Sequence, residues 1–261
     1  MNCNGSKKLC DRTFDKVCLA TTHNAMSSTQ DGFVPPNQHY ALPRQLADGI
    51  RGLMLDIHYW KGDVYLCHGA CEFGKKPLVE GLSQILDFLE QEPNEVVAIV
   101  FESYVEAKDV EAAFVDSKLV DLVYTPSNGQ KWPTLSEMIA ANQRVVVLTD
   151  RDGGNPEWYL PVWDYAFETH FSAKTREDLT CDPNRGSTDN SLFILNHFLT
   201  KPFADPDLAE QVNHNPFFID RAEECAKRFR RRPSMVAVDF YDIGDLLDVV
   251  DELNKIEFNK N

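Results

Sequence analysis

Short, nearly continuous apolar runs alternate along the chain with stretches whose apolar positions recur every three or four residues. EVVAIVFE (95–102) is typical of a parallel strand that is covered on both faces. PLVEGLSQILDFLEQEP (77–93) instead places five apolar side chains on one helical face and ends at Pro93. The pattern therefore predicts strands and helices that follow one another in turn.

The rest of the chain repeats this alternation. Strands are predicted within KVCLATT (16–22), RGLMLDIHYW (51–60), DVYLCHG (63–69), RVVVLTD (144–150), YAFETHF (165–171), SLFILNHF (191–198) and MVAVDFYD (235–242). Helices are predicted within ALPRQLADGI (41–50), TLSEMIAANQ (134–143), DPDLAEQVNH (205–214), FFIDRAEECAKRFRR (217–231) and IGDLLDVVDELNKI (243–256). Thr134 and Glu137 form a capping-box signature at the start of one helix.

Strand and helix alternation over one stretch of this length predicts an α/β fold, a TIM-type (β/α)8 barrel of regular or irregular form. The sequence contains no repeats and no Gly/Ser-rich linkers, so a single domain over 1–261 is predicted. A doubly wound open sheet is the alternative. No Gly-rich phosphate loop follows any predicted strand, which favours the barrel.

Polar or ionisable side chains stand where the predicted strands end. They are His23, Asp56 with His58, His68, Glu102, Asp150 with Arg151, His170, His197 and Asp239. In a barrel the carboxyl ends of the strands surround one mouth, where active sites are built. We therefore expect these side chains to converge on one rim.

Acidic residues outnumber basic ones, 41 to 26, and the formal net charge is −15. This balance argues against nucleic acid, which needs clustered Lys and Arg, and against tight electrostatic docking on anionic lipid. The dense basic run KRFRRRP (227–233) is interpreted as a solvated helix end. No apolar run of about 18 residues is present, so no membrane-spanning segment is predicted.

The cysteines suggest an oxidising compartment. We hypothesise three disulfides: the local pairs Cys3–Cys10 and Cys67–Cys71 and the longer bridge Cys181–Cys225. This pairing leaves Cys18 in an apolar strand. A zinc site is the weaker alternative. The segment MNCNGSKKLC lacks a signal-type apolar region, so we expect any secretory peptide to have been removed already or never to have been present. We expect the protein to be secreted.

Two histidines, His23 and His68, end separate strands and are each followed by small residues. A neutral imidazole and a protonated one on opposite sides of a site can act as base and acid near neutral pH. Each could also be a structural strand-end residue, so the residues alone leave both roles open.

Asn24, Asp56 and Glu102 end three different strands and supply an amide and two carboxylates. Such oxygen donors suit Ca²⁺, and three protein ligands would make an open site that substrate or water completes. The alternative is structural: Asp56 would pair with Arg51 or another cation, and Glu102 would cap a helix.

Four motifs taken together resemble the X region of phosphatidylinositol-specific phospholipase C. They are TTHNAMSS, GIRGLMLDIH, YLCHG and EPNEVVAIVFE, and the resemblance covers residues 15–105 and thins afterwards. It implies a barrel that cleaves the phosphodiester between diacylglycerol and inositol phosphate through a cyclic inositol phosphate. His23 would be the base, His68 the acid and Asp239 the carboxylate that orients the base. Arg151 would bind the substrate.

The chain departs from both branches of that family. Metal-independent bacterial members place an arginine two residues after the aspartate of the second strand, where this chain has His58. Calcium-dependent members use Asn, Glu-x-Asp and a later Glu, and here Met54 replaces the first carboxylate of Glu-x-Asp. The resemblance therefore favours Ca²⁺ over Mg²⁺ at the remaining oxygen ligands, and His58 and Arg51 are the substitute cations if no metal binds.

Two other functions stay open. Cysteines around HGAC (68–71) resemble sphingomyelinase D-like phosphodiesterases, which need Mg²⁺ and an intact Glu-x-Asp. Met54 and the charge of −15 also fit a barrel that has lost catalysis and binds a lipid head group. The expected partners are a phospholipid or inositol phosphate substrate and, transiently, a membrane surface, with the protein acting as a monomer. Phe33, Val34, Trp60 and Phe73 are the candidate membrane-contacting residues.

Overall fold

Eight parallel strands form the centre of the structure, and helices cover their outer side. The structure is a computed structural model that describes residues 1–126 and 131–258. The strands are β1 (Leu19–Thr22), β2 (Gly52–Trp60), β3 (Asp63–Leu66), β4 (Lys76–Pro77), β5 (Val97–Ser103), β6 (Val145–Thr149), β7 (Tyr159–Pro161), β8 (Ala166–Glu168), β9 (Leu192–Asn196) and β10 (Met235–Val238). The α-helices are α1 (Leu42–Ala47), α2 (Leu78–Gln91), α3 (Ala107–Asp116), α4 (Leu135–Ala140), α5 (Val162–Tyr165), α6 (Pro206–Val212), α7 (Phe217–Phe229) and α8 (Leu246–Lys255).

The strand order β7-β6-β5-β2-β1-β10-β9-β8 makes a curled sheet in which every neighbouring pair is parallel. Within the described residues no ladder joins β7 to β8, the two ends of this order. The short helix α5 connects them directly. The predicted α/β barrel is confirmed, in its irregular form. The sequence patterns did not predict α3 or β7.

The strand β2 is longer than its neighbours and continues beyond the barrel edge. There it pairs with the antiparallel strand β3, which in turn pairs with β4. Because Leu66 at the end of β3 lies opposite Ile57, the chain returns to the level of the barrel rim just before Cys67 and His68. This hairpin brings His68 back beside Asp56, at the level of the barrel rim.

Side chains alternate between the two faces of each strand, as the pleat requires. On β5, Ala98 and Val100 belong to a cluster inside the barrel, whereas Ile99 and Phe101 pack outward against the helices. The inner cluster also includes Phe14, from the segment before β1. On every barrel strand except β7, the inward row ends in a polar residue at the barrel rim, so the same alternation that builds the core places the polar rim.

Three disulfides form as predicted: Cys3–Cys10, Cys67–Cys71 and Cys181–Cys225, with Cys18 buried and unpaired. The capping box at the start of α4 is also present, with Thr134 and Glu137 as its members. Within the described residues no helix is both long and apolar enough to cross a bilayer. The prediction of a single domain over 1–261 stays a prediction.

The interpretation of KRFRRRP as a solvated helix end is wrong for two of its arginines. The helix α7 ends at Phe229, and Arg230 has the left-handed backbone of a helix C-terminus. Arg231 then donates to the carbonyl of Asn190, and the largely buried Arg232 donates to that of Ile256. These arginines bind carbonyl groups of the chain and are not simply solvated.

Candidate active site

One imidazole at the barrel mouth, His23, is held by a buried carboxylate. Nδ1 of His23 lies 2.9 Å from Oδ1 of Asp239, whose side chain is 5% exposed. A carboxylate can only accept here, so Nδ1 carries the hydrogen and Nε2 keeps its lone pair when the ring is neutral. His23 and Asp239 follow β1 and β10, which are neighbours in the sheet. The neutral ring can therefore accept a proton at Nε2.

A second imidazole–carboxylate pair joins His68 to Asp56. Nδ1 of His68 lies 3.1 Å from Oδ2 of Asp56. This hydrogen bond raises the pKa of His68 above its ordinary value, against the opposing effect of burial. Burial in turn raises the pKa of Asp56, and the hydrogen bond from His68 counteracts it. A histidine with a raised pKa keeps its proton further into the neutral range, as a general acid requires.

The loop after β1 anchors the first pair. Nδ2 of Asn37 donates to Oδ1 of Asp239 at 2.9 Å, so this one oxygen accepts two hydrogen bonds. Nε2 of Gln38 donates to the carbonyl oxygens of His23 and Val238, which joins the ends of β1 and β10. The carboxylate and the backbone of the base are thus held by the same short segment.

Both imidazoles line one cavity of about 830 Å³ at the mouth. Asn24, Asp56, Glu102 and Phe198 line it together with them. A smaller inner space of about 80 Å³ continues into the barrel from the same residues. The predicted set His23, His68, Asn24, Asp56 and Glu102 is therefore brought together around one cavity.

One wall of the cavity includes a stacked pair of side chains, His58 and Tyr104. The ring of His58 stacks on Tyr104 at 4.3 Å, and the guanidinium of Arg151 lies 4.3 Å from the same ring. The Tyr104 hydroxyl donates to Glu102. Burial lowers the pKa of His58, so this ring is neutral near pH 7 and does not supply the positive charge expected of it. Arg151 contacts Tyr104 and Asp150 and does not line the cavity.

The assignment of Arg51 to the site is wrong. Arg51 precedes β2, at the amino end of the strand, and parallel strands place that end opposite the mouth. Its Nε donates to Glu95 at 2.6 Å, and Nη1 donates to the carbonyls of Leu46 and Ile50. Arg51 closes the far end of the barrel, and Asp56 pairs with His68 instead.

Two other strand-end histidines lie elsewhere. His197 follows Asn196 and therefore points outward; it is fully buried, and its Nε2 donates to the carbonyl of Val212 at 2.9 Å. His170 is exposed and lines neither space of the site. Asp150 points inward and lines the inner space, where its Oδ1 accepts from the backbone of Ser103.

The inner space contains an ion pair that the sequence patterns did not single out. Oε1 of Glu168 accepts from Nε of Arg185 at 2.5 Å, and Asn184 and Asn196 also donate to this carboxylate. The Arg185 guanidinium lies 4.4 Å from the Trp163 ring and 4.6 Å from that of Phe171. Glu168 is the last residue of β8 and lies in an inward row, so its position at a strand end could have indicated a site residue. Arg185 lies in a loop, and no sequence pattern indicated its role.

Oxygen atoms that could hold a cation meet at the barrel rim, where β2 and β5 lie side by side. Asp56 lies directly opposite Glu102 in the parallel register. Asn24 adjoins them in the cavity, and its Nδ2 is buried without a partner in the described part of the chain. No group of three His, Cys, Asp or Glu side chains in 1–126 and 131–258 is arranged to hold a metal. Any cation here therefore depends on the amide, and the three residues fit an open, oxygen-rich site.

Two of the candidate membrane-contacting residues are exposed next to each other. Val34 and Phe73 are 65% and 63% exposed, and the Val34 N–H donates to the Phe73 carbonyl at 2.8 Å. Phe33 is buried against Gly74, so its assignment to a membrane-contacting surface is wrong. Trp60 is half-buried, with the Lys75 ammonium 5.1 Å from its ring.

Comparison with known proteins finds relatives along nearly the whole chain. A secreted protein of Arthroderma benhamiae is 29% identical over 98% of this chain and 65% of its own length. A PI-PLC X domain-containing protein of Arabidopsis thaliana is 30% identical over 92% of this chain and 62% of its own. The chain thus spans just under two thirds of the length of these two relatives.

Solved structures of the phosphatidylinositol-specific phospholipase C of Staphylococcus aureus share the fold. One is 15% identical with a TM-score of 0.63 and covers 94% of each chain. Another has a TM-score of 0.67 at 15% identity and covers 95% of each. The family profile for PI-PLC X matches residues 9–254, which include all the strands of the barrel and every residue of the site described above. The chain therefore belongs to the PI-PLC X family.

Proposed function

We propose that the protein is a secreted phosphodiesterase that cleaves phosphatidylinositol-type lipids through a cyclic inositol phosphate. The observation that carries the proposal is the pair of carboxylate-backed imidazoles, His23 with Asp239 and His68 with Asp56, on one cavity. Two positioned imidazoles can supply a base and an acid to the same reaction. The family and fold support a phosphodiesterase acting on this lipid class.

In the proposed first half of the reaction, Nε2 of His23 takes the proton of the inositol 2-hydroxyl. The freed oxygen attacks phosphorus and forms the new O–P bond of the cyclic phosphate. The Asp239 carboxylate fixes the ring through Nδ1 and stabilises the imidazolium that forms. Asn37, which shares the same carboxylate oxygen, keeps that carboxylate in place.

In the second half, the bond between phosphorus and the glycerol oxygen breaks. Protonated His68 donates its Nε2 proton to that oxygen, and diacylglycerol leaves. The hydrogen bond to Asp56 raises the pKa of His68, which supports this role because it favours the protonated ring. The net reaction uses no water and is a phosphorus–oxygen lyase reaction.

We propose that Ca²⁺ binds through Asn24, Asp56 and Glu102, with substrate or water oxygens completing its shell. When bound, the ion would supply positive charge to the phosphate as negative charge develops on its oxygens. Met54 lies in the same inward row as Asp56 and offers a thioether where a further carboxylate would strengthen the site. We therefore expect weak, readily chelated binding.

Secretion and membrane contact complete the proposal. Three disulfides and a secreted relative support an extracellular location. The exposed pair Val34 and Phe73 is proposed to touch the lipid surface during catalysis, and the enzyme is proposed to act as a monomer.

Phosphorus NMR of phosphatidylinositol vesicles incubated with the protein tests the function. The proposal expects cyclic inositol phosphate with Ca²⁺, a strong loss with chelator, and no product from His23→Ala or His68→Ala. Activity on sphingomyelin alone would instead favour the sphingomyelinase D-like alternative. No turnover of any lipid, with retained binding of inositol phosphate, would favour a head-group binding protein.

A further inference from the structure

We propose that Phe198 is a positioning residue that holds the imidazole plane of the base His23. The two rings are stacked with their centroids 3.9 Å apart and their planes 5° from parallel. Phe198 is 3% exposed and lines both the mouth cavity and the inner space. The role assigned to Phe198 rests on the proposed function of His23, and it concerns geometry that can be measured without substrate.

The hydrogen bond to Asp239 restrains one atom of the His23 ring, Nδ1. A restraint on one atom still allows coupled rotations about χ1 and χ2 that keep Nδ1 near Oδ1 and tilt the ring plane. Such tilting would swing Nε2 away from the hydroxyl that it must deprotonate. A flat ring in contact with one face of the imidazole removes that freedom, and it also keeps water from that face.

Phe198 can hold another ring because its own neighbour is rigidly fixed. His197 is fully buried, donates through Nε2 to the Val212 carbonyl and accepts on Nδ1 from Nη1 of Arg221 at 2.9 Å. Its ring also stacks on Phe218 at 3.8 Å. Burial first, and then the charge of Arg221, keep the pKa of His197 well below its ordinary value, so this ring stays neutral and its hydrogen bonds do not change near neutral pH.

A continuous set of contacts therefore runs from helix α7 to the base. Arg221 lies on α7 and binds the carbonyls of Leu179 and Thr180 as well as His197. The Cys181–Cys225 disulfide ties the same loop to the next turn of that helix. Through these hydrogen bonds and the disulfide, helix α7 holds the segment that carries Phe198, and Phe198 in turn holds the ring of His23.

The test compares Phe198→Leu with Phe198→Tyr and with Phe193→Leu. The ring of Phe193 is fully buried and stacked on Phe167 at 4.6 Å, away from the cavity, so Phe193→Leu reproduces the loss of a buried stacked ring. Proton NMR follows the Nδ1–H of His23, which is hydrogen-bonded to Asp239, and, as an internal reference, the Nδ1–H of His68, which is hydrogen-bonded to Asp56. Kinetics on phosphatidylinositol vesicles follows kcat and KM.

We expect Phe198→Leu to lose or broaden the His23 Nδ1–H signal, to leave the His68 signal in place, and to lower kcat about 10- to 100-fold with little change in KM. Phe198→Tyr keeps the stacked ring and should retain the signal and most of kcat, and Phe193→Leu should retain both at temperatures where it is folded. An unchanged His23 signal in Phe198→Leu would overturn the inference, as would equal losses of kcat in Phe198→Leu and Phe193→Leu. If the wild type turns over no lipid, the proposed function fails while the NMR comparison still decides the role of Phe198.

Discussion

Replacing Asp239 by Asn removes one negative charge and almost no volume from the pair that holds the base. In the proposed transition state His23 becomes an imidazolium, with Nδ1 2.9 Å from Oδ1 of Asp239. For charges about 4 Å apart at an effective dielectric constant of about 20, the attraction is about 4 kcal/mol. That attraction exists only once the proton has moved, so its loss should lower kcat about a thousandfold and leave KM nearly unchanged.

Solvent screens this attraction only weakly, because the Asp239 side chain is 5% exposed and the His23 side chain is 23% exposed. Asp242→Asn is the matched control because Asp242 pairs with His39 at 2.8 Å outside the cavity. The assay is steady-state kinetics on phosphatidylinositol vesicles for both variants, with thermal unfolding to confirm that each is folded. Within residues 1–126 and 131–258, Oδ2 of Asp239 is buried without a partner, so an amide nitrogen there should also cost about 1–3 kcal/mol of stability.

The result that refutes this reasoning is a folded Asp239→Asn enzyme that keeps more than a third of the wild-type kcat. An equal loss in Asp242→Asn would refute it as well, because the effect would then not depend on the base. A loss confined to KM would show that Asp239 binds substrate and does not stabilise the transition state.

Three further predictions follow. Burial keeps the pKa of His197 well below 6.5, so only the unfolded chain takes up a proton at this residue as the pH falls. The free energy of unfolding should therefore drop by about 1 kcal/mol between pH 6 and 5. Urea titrations should show a smaller drop over the same pH range in His197→Gln. Arg185 lines the inner space that continues from the mouth cavity, so we expect Arg185→Met to raise KM for phosphatidylinositol several-fold; an unchanged KM would show that Arg185 does not contribute to substrate binding. Replacing Val34 and Phe73 by Ser should weaken vesicle binding and vesicle hydrolysis while sparing a short-chain, monomeric substrate; equal losses on both substrates would argue against a membrane-contacting role.

The sequence was sufficient to predict the barrel and most of the rim because both depend on the period-two alternation of strands. His23, Asp56, Glu102 and Asp239 each continue an inward row at a strand end, where parallel strands converge. The same rule explains the error at His197, which follows the inward Asn196 and so points outward to the helices. Strand-end position alone did not separate the two faces.

Other features depend on tertiary contacts that no local pattern encodes. Arg51 stands next to a predicted strand, but at its amino end, and its pairing with Glu95 joins residues far apart in the sequence. Phe198 and Arg185 enter the site from loops whose positions are fixed by a disulfide, a buried arginine and aromatic packing. A phenylalanine and an arginine are also common in cores and on surfaces, so no sequence pattern distinguished Phe198 and Arg185 from such residues.

The central claim is that His23 acts as the base and His68 as the acid. The most direct test measures the activity of their Ala variants on two substrates that differ in the leaving group. Inositol 1-(4-nitrophenyl phosphate) has a leaving group that departs without a proton, so a general acid is not needed for it. The account predicts that His68→Ala regains most of the wild-type rate when this ester replaces phosphatidylinositol, while His23→Ala stays inactive on both. Equal defects of the two variants on both substrates, or recovery of His23→Ala instead, would contradict the assignment of His23 as base and His68 as acid.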